Sequence, residues 1–385
     1  MNRRLWLAAG LCVLAAAVAL AFWWAQQQVP PAVQARLGAT VGADISGFAR
    51  VEGPWPLAFP ADHGPHPQYQ TEWWYYTGNL EGPAGEAFGF QLTFFRRGLT
   101  PGETQRPSAW GGNQVYFAHF ALTDGAAGSF TAAERFSRGA AGLAGAQATP
   151  FRVWLDGWSV EAVKGDVVRL RAAHGDRALD LTLTPQKPPA AHGGNGFSPK
   201  SAAPGNASVY YSLSRLAAAG QLTVGGRTLT VNGAAWMDHE WSTSALGTGQ
   251  VGWDWYSLQL DDGWEVMFFQ IRLEDGRVEP VSSGSLVAPD GTVQPLRREE
   301  LRLEVQRMWQ SPHSRARYPA VWLLEAPAHG LRLTVEPLLA DQELNLSFVY
   351  WEGAVQVSGS HSGQAVKGRG YVELTGYAHS MQGEF

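Results

Sequence analysis

The sequence predicts an all-β protein of two similar antiparallel β-domains behind an N-terminal hydrophobic helix. Three observations predict it. Short alternating or aromatic-rich runs recur, each closed by Gly, Asp or Asn; FGFQLTFFR, QVYFAHFALTD, LDLTLT, SVYYSLSRL, WEVMFFQIR and AVWLLEA are among them. Period-2 patterning with turn signals every 8–12 residues is the mark of a sandwich or barrel. Composition agrees, since 45 Gly and 23 Pro in 385 residues supply turns and charged residues are only 16%, below the usual quarter. The third observation is a repeat. Trp73-Trp74-Tyr75-Tyr76-Thr77-Gly78-Asn79-Leu80-Glu81 aligns with Trp253-Asp254-Trp255-Tyr256-Ser257-Leu258-Gln259-Leu260-Asp261 at an offset of 180, both reading Trp, x, aromatic, Tyr, hydroxyl, x, amide, Leu, acid. A second strand follows each copy, 88–96 and 264–272, after a turn four residues longer in the first. Two such hairpins at this spacing point to duplicated β-domains.

Taken in order, the chain opens with Arg3 and Arg4 before an apolar run of 20 residues, 5–24, long enough to cross a bilayer core. Residues 1–25 therefore read as a signal peptide or signal anchor, with the arginines cytoplasmic and the rest exported to the periplasmic side. Phe22, Trp23 and Trp24 form an aromatic belt that favours an anchor in the inner membrane. Cys12, the single cysteine, lies inside this run, so the chain has no disulfide framework and no thiol chemistry. Residues 26–46, opening QQQVPPAVQ, read as a tether. The first β-domain is expected over 47–241 and the second over 242–385. One long interruption, 185–206, is rich in Pro and Gly and reads as a structureless lid or binding loop with Phe197 at its tip.

Lys+Arg 29 against Asp+Glu 34 gives a net charge of -5, which excludes nucleic-acid binding by phosphate neutralisation. No G-x-S-x-G elbow, Walker A loop, HExxH helix or dinucleotide fingerprint occurs. Chemistry is instead concentrated in two constellations. In Asp62-His63-Gly64-Pro65-His66-Pro67, followed by Glu72, two imidazoles and a carboxylate crowd the entrance of the first aromatic strand. The histidine spacing is short of ligands for a metal, and none is expected. In Trp236-Met237-Asp238-His239-Glu240-Trp241, strand alternation places Asp238 and Glu240 on one face and His239 on the other. Two carboxylates facing one apolar space lose hydration and repel, so one holds its proton near neutral pH and can serve as an acid. Asp254, between Trp253 and Trp255, is a third desolvated carboxylate. His119 sits on an apolar strand face, and of the adjacent Tyr210 and Tyr211 one must face outward.

The 17 Trp, 17 Phe and 11 Tyr are enough to fill cores or to line an apolar cavity. FPADHGPHPQYQTEWWYYTGNL, FGFQLTFFR, YFAHFALTD, KPPAAHGGNGFSPK, WMDHEWS leading to GWDWYSLQLDDG, and GRGYVELTGY together resemble the lipocalin-like family of carotenoid hydratase (hydroxyneurosporene synthase) and the AttH-like exported proteins, over about residues 50 to 377. The resemblance implies two lipocalin-like, calycin-type β-barrel domains, each with room for an apolar ligand. It implies a large lipid or isoprenoid ligand, no cofactor, and service to an ABC-type envelope transport system whose permease would be a partner. Its alternative implication is a cofactor-free hydro-lyase that adds water to a carbon–carbon double bond. On either reading the expected acids and bases are Asp238, His239, Glu240 and Asp254, and the expected ligand contacts are His66, Glu72, Trp73, Tyr75, His119, Tyr211, Trp241, Trp253, Trp255 and Tyr256.

Overall fold

A computed structural model of the chain describes residues 45–102, 108–243 and 246–383. The expected hydrophobic helix within 1–25 lies outside the described residues, as does nearly all of the tether. Among the described residues no helix is long and apolar enough to cross a membrane.

The described chain is almost wholly strand. The first sheet comprises β1 (Thr71–Glu81), β2 (Ala87–Gly98), β3 (Gln114–Asp124), β4 (Ser129–Arg138), β5 (Ala144–Ala148), β6 (Phe151–Leu155) and β7 (Trp158–Lys164). It continues with β8 (Val167–His174), β9 (Arg177–Pro185), β10 (Ala190–Ala191), β11 (Phe197–Pro199), β12 (Ala207–Val224) and β13 (Arg227–Ser242). The second holds β14 (Gln250–Leu260), β15 (Glu265–Leu273), β16 (Ser283–Val287), β17 (Val293–Arg297), β18 (Arg302–Gln310) and β19 (Arg317–Ala326). It ends with β20 (Leu331–Pro337), β21 (Glu343–Asn345), β22 (Val349–His361) and β23 (Gln364–Leu374).

Strand order reveals the duplication. The first sheet runs β4-β3-β2-β1-β13-β12-β9-β8-β7-β6-β5 and the second β17-β16-β15-β14-β23-β22-β20-β19-β18. In each, the first strand of the half pairs with the last, four strands unroll one way and the returning strands unroll the other. Short strands lie on the penultimate long strand in both, β10 and β11 on β12 and β21 on β22. The first sheet only adds β6 and β5. Both sheets curl into lipocalin-like barrels whose inward side chains alternate with outward ones.

The interiors are filled. Trp74, Tyr76, Phe90, Trp158, Leu170, Tyr211 and Trp241 pack in the first, and Tyr256, Phe268, Trp322, Leu333 and Trp351 in the second. The room for a ligand expected inside each barrel is thus taken up by large aromatic and branched side chains. A third cluster, with Tyr75, Tyr210, Trp236, Trp255, Phe269 and Tyr371, joins the outer faces of the two sheets.

The interruption at 185–206 is not structureless: β10 and β11 hydrogen-bond to β12 at Tyr211–Ser212 and Ala207–Val209. Phe197 packs on the first core. Lys187 Nζ reaches across to Glu265 Oε2 at 2.7 Å and to the carbonyls of Gly263 and Ala288. The segment is a strap tied to both sheets.

Candidate functional site

An aromatic cavity lies where the outer faces of the two sheets meet, with about 970 Å3 of atom-free space including its mouth. The register of the strands builds it. In the first sheet Trp73 stands opposite Glu240 and Tyr75 opposite Asp238, while β12 sets Tyr210 beside Glu240 and Ser212 beside Asp238. In the second sheet Trp253 stands opposite Ile271 and Trp255 opposite Phe269, with Glu373 on the far side of Trp255. The repeat motifs therefore face one another, Trp73 and Tyr75 against their counterparts Trp253 and Trp255. The Tyr75 and Trp255 rings meet edge-on at 5.1 Å. By the same registers Glu373 is the second sheet's counterpart of Asp238.

Asp238 is buried and holds three donors: Tyr210 Oη at 2.6 Å, Trp236 Nε1 at 2.6 Å, and the Ser212 hydroxyl. Burial raises its carboxyl to about 7; the donors from Ser212, Tyr210 and Trp236 pull the other way, and Glu240 adds to the rise. Glu373, which accepts from Trp253 Nε1 at 2.8 Å, is raised by burial to about 7 as well, with Asp238 and Glu240 adding to it. Behind Tyr75, whose hydroxyl donates to Glu352 Oε1 at 2.6 Å, burial and Glu373 push Glu352 well above the usual range. Glu240 differs, being paired with Lys200 Nζ at 2.7 Å and accepting from Ser208.

A pH dependence follows. The folded protein keeps the Asp238 proton up to about 7 whereas the free side chain loses it near 3.8, so stability from this group is full below that lower value and is lost as pH rises through the folded value. Asp238→Asn, which does not titrate, is expected to gain thermal stability relative to the wild type between pH 4 and 7. Parallel melting curves for the two proteins over that range would contradict the raised carboxyl.

Of the expected residues, Asp238, Glu240, Trp73, Tyr75, His119, Trp253 and Trp255 line this cavity. The others do not: alternation turns the strand residues inward, and His66 reaches the same interior from the loop before β1. His239 points into the first barrel, where it joins His66, Glu72 and Tyr211. Glu72 Oε1 lies 2.8 Å from His66 Nδ1 and 2.9 Å from His239 Nε2, and Oε2 accepts from Arg96 Nε at 2.8 Å. Burial alone would raise Glu72; Arg96, His239 and His66 outweigh it and hold the carboxyl well below the usual range. Trp241 stacks on His66 at 3.7 Å.

His66, Glu72 and His239 offer three converging ligand atoms within 4.8 Å of one another. The residues already satisfy each other, and a divalent ion would have to displace these hydrogen bonds beside the Arg96 guanidinium, so the set does not suit a metal. Asp254 and Tyr256 turn into the second barrel. Asp254 is held by Arg272 Nε at 3.0 Å and by Gln270 and Tyr377, and Tyr256 is core. Arg96 and Arg272 are repeat counterparts, each holding a buried carboxylate in its own barrel.

Sequence reasoning missed Tyr210, Lys200, Phe269, Tyr350 and Glu373 on the cavity wall. The choice of Tyr211 over its neighbour was the wrong face. The signal was in the period: Ser208, Ser212 and Ser214 share the face of Tyr210, while Val209 and Leu213 share that of Tyr211, which is therefore the apolar, inward face. Glu373 was within reach, since aligning the two halves by sheet order marks it as the counterpart of Asp238.

The chain is 36% identical to a crystal structure of a protein of Nitrosomonas europaea named for AttH, which matches 86% of this chain and 99% of that one with a TM-score of 0.76. It also shares its fold with kievitone hydratase of Nectria haematococca, at 16% identity, a TM-score of 0.65, and coverage of 86% of this chain and 98% of the other. No curated protein sequence matches the chain. The AttH-like family model matches residues 50–377. With the paired barrels and the cavity between them, this match establishes that the chain belongs to the AttH-like family.

Proposed function

We propose that the cavity between the barrels binds a large apolar, unsaturated ligand of isoprenoid or polyene type and adds water to one of its double bonds by acid catalysis. The observation that carries this reading is Asp238, a carboxyl raised to about 7 in an aromatic wall. Such a group is protonated often enough to act as an acid yet acidic enough to give the proton up. Asp238 would transfer its proton to one alkene carbon, breaking the π bond and leaving a carbocation on the other. The ring faces of Trp73, Trp253 and Trp255 favour a cation there through their quadrupoles. Water then forms the C–O bond, and its surplus proton returns to Asp238, so the enzyme ends as it began with no cofactor consumed. One structural neighbour is named a hydratase, in keeping with this reaction class.

The test is incubation of the full chain with a panel of isoprenoid and polyene alkenes in 18O-labelled water. A product carrying one labelled oxygen is expected. Retention of an alkene in native mass spectrometry with no label incorporated would reduce the reading to ligand carriage. Carriage in service of an ABC transporter is the second reading, and it rests on the expected N-terminal export segment, not on the cavity.

A further inference from the structure

We infer that His192 is the positioning residue that lets Asp238 alternate between its protonated and ionised forms, moving its own proton from one ring nitrogen to the other as it does so. The inference rests on Asp238 as the acid of the cavity. His192 lies in the strap just after β10 and is buried. Its Nε2 is 2.6 Å from Ser212 Oγ and its Nδ1 is 3.0 Å from Ser285 Oγ. Ser212 in turn reaches Asp238 Oδ1. An unbroken chain, Asp238–Ser212–His192–Ser285, thus runs from the first sheet through the strap to β16 of the second.

Both serine hydroxyls and a neutral imidazole are each donor and acceptor, so this chain can run in either direction. With Asp238 ionised, Ser212 donates to it, Nε2–H donates to Ser212, and Ser285 donates to Nδ1. With a proton on Oδ1 every link reverses: Asp238 donates to Ser212, Ser212 to Nε2, and Nδ1–H to Ser285. No hydrogen bond of the chain is lost in either state; in the second only the Ser285 hydroxyl hydrogen, at the far end, leaves its partner, since His192 is the one side-chain partner of Ser285 among the described residues. Oδ2 has no such relay. Its partner Tyr210 already accepts from Trp255 Nε1 at 2.9 Å and has Asp238 as its one hydrogen-bond acceptor among the described residues, so reversal there would strand the phenol hydrogen.

The groups facing the chain fit this role. Around Asp238 stand Tyr210, Glu240, Glu352 and Glu373. Around His192 stand Tyr210, whose ring is 4.4 Å away, and Lys200. Burial, with Lys200 adding, lowers His192 to about 3, so over the range in which Asp238 titrates it changes tautomer and not charge.

The test is nuclear magnetic resonance of the full chain labelled with 15N-histidine, the His192 signals being assigned by their loss in His192→Gln. Asp238 is followed in parallel through its 13C carboxyl, assigned with Asp238→Asn. Between pH 5 and 9 the pyrrole-type and pyridine-type 15N shifts of His192 are expected to exchange between Nδ1 and Nε2, with the midpoint of the Asp238 titration. Ser212→Ala should abolish the exchange while leaving Asp238 titratable. A His192 that keeps one tautomer while Asp238 titrates, or that becomes imidazolium, overturns the inference and leaves the acid reading intact. An Asp238 that keeps one protonation state throughout overturns both, and the wild-type protein alone decides between these outcomes.

Discussion

Asp238→Asn is expected to lower turnover of a hydrated alkene by about 10²–10⁴-fold, the usual worth of a positioned general acid, while leaving ligand retention unchanged. The amide is nearly isosteric, and its one oxygen can still accept from Trp236 and Ser212 with the NH2 turned to Tyr210, so the cavity keeps its shape. It has no acidic proton to give. The two effects are separated by measuring 18O incorporation and native-mass-spectrometric ligand occupancy on the same preparation. Turnover within a few-fold of the wild type would move the acid elsewhere, and Glu373, the repeat counterpart raised to about 7, is the next group to replace. Loss of ligand together with turnover would show instead that Asp238 holds the cavity open.

Arg96→Met is expected to destabilise the fold by about 3–5 kcal/mol, the cost of leaving one member of a buried ion pair alone. Arg96 is fully buried. It donates through Nε to Glu72 and through Nη2 to the carbonyls of His66 and Tyr69, at 3.0 and 2.9 Å. Met keeps most of the apolar stem but leaves the Glu72 carboxylate without its cation and takes a donor from the Tyr69 carbonyl, while the His66 carbonyl keeps the Tyr69 N–H. Urea unfolding at pH 7 measures the loss, and Arg96→Met combined with Glu72→Gln should recover part of it by removing the uncompensated charge. The acid limb gives a second readout. Glu72 sits well below its ordinary 4.5, so its contribution is present above that pH and is lost as pH falls below it. Arg96→Met should flatten that part of the stability profile. An unchanged midpoint in urea would mean that the pair is replaceable in place.

The two constellations in the sequence were each read as a local site, and the structure shows why that reading was incomplete. His66 and Glu72 belong to one, His239 and Trp241 to the other, 167 residues from Glu72 to His239 along the chain. Only the antiparallel pairing of β1 with β13 brings them together, Glu72 opposite Trp241 and Trp74 opposite His239. The same pairing sends Asp238 and Glu240 to the opposite face, as strand alternation required. Asp254 shows the limit of flanking sequence as a guide. Its neighbours Trp253 and Trp255 line the cavity, and for that very reason Asp254 points away from it, towards Arg272.

What the sequence determined by itself was the strand class, the duplication and the alternation of faces, because each depends on period or local identity that a linear chain displays. Tertiary structure decided which face looks into a barrel and which into the cavity. Both faces of β1, β13 and β14 carry aromatic residues, so hydrophobicity did not distinguish them. Only the packing of two filled barrels against each other left the outer aromatic faces, with Asp238 and Glu373 between them, as the walls of one cavity.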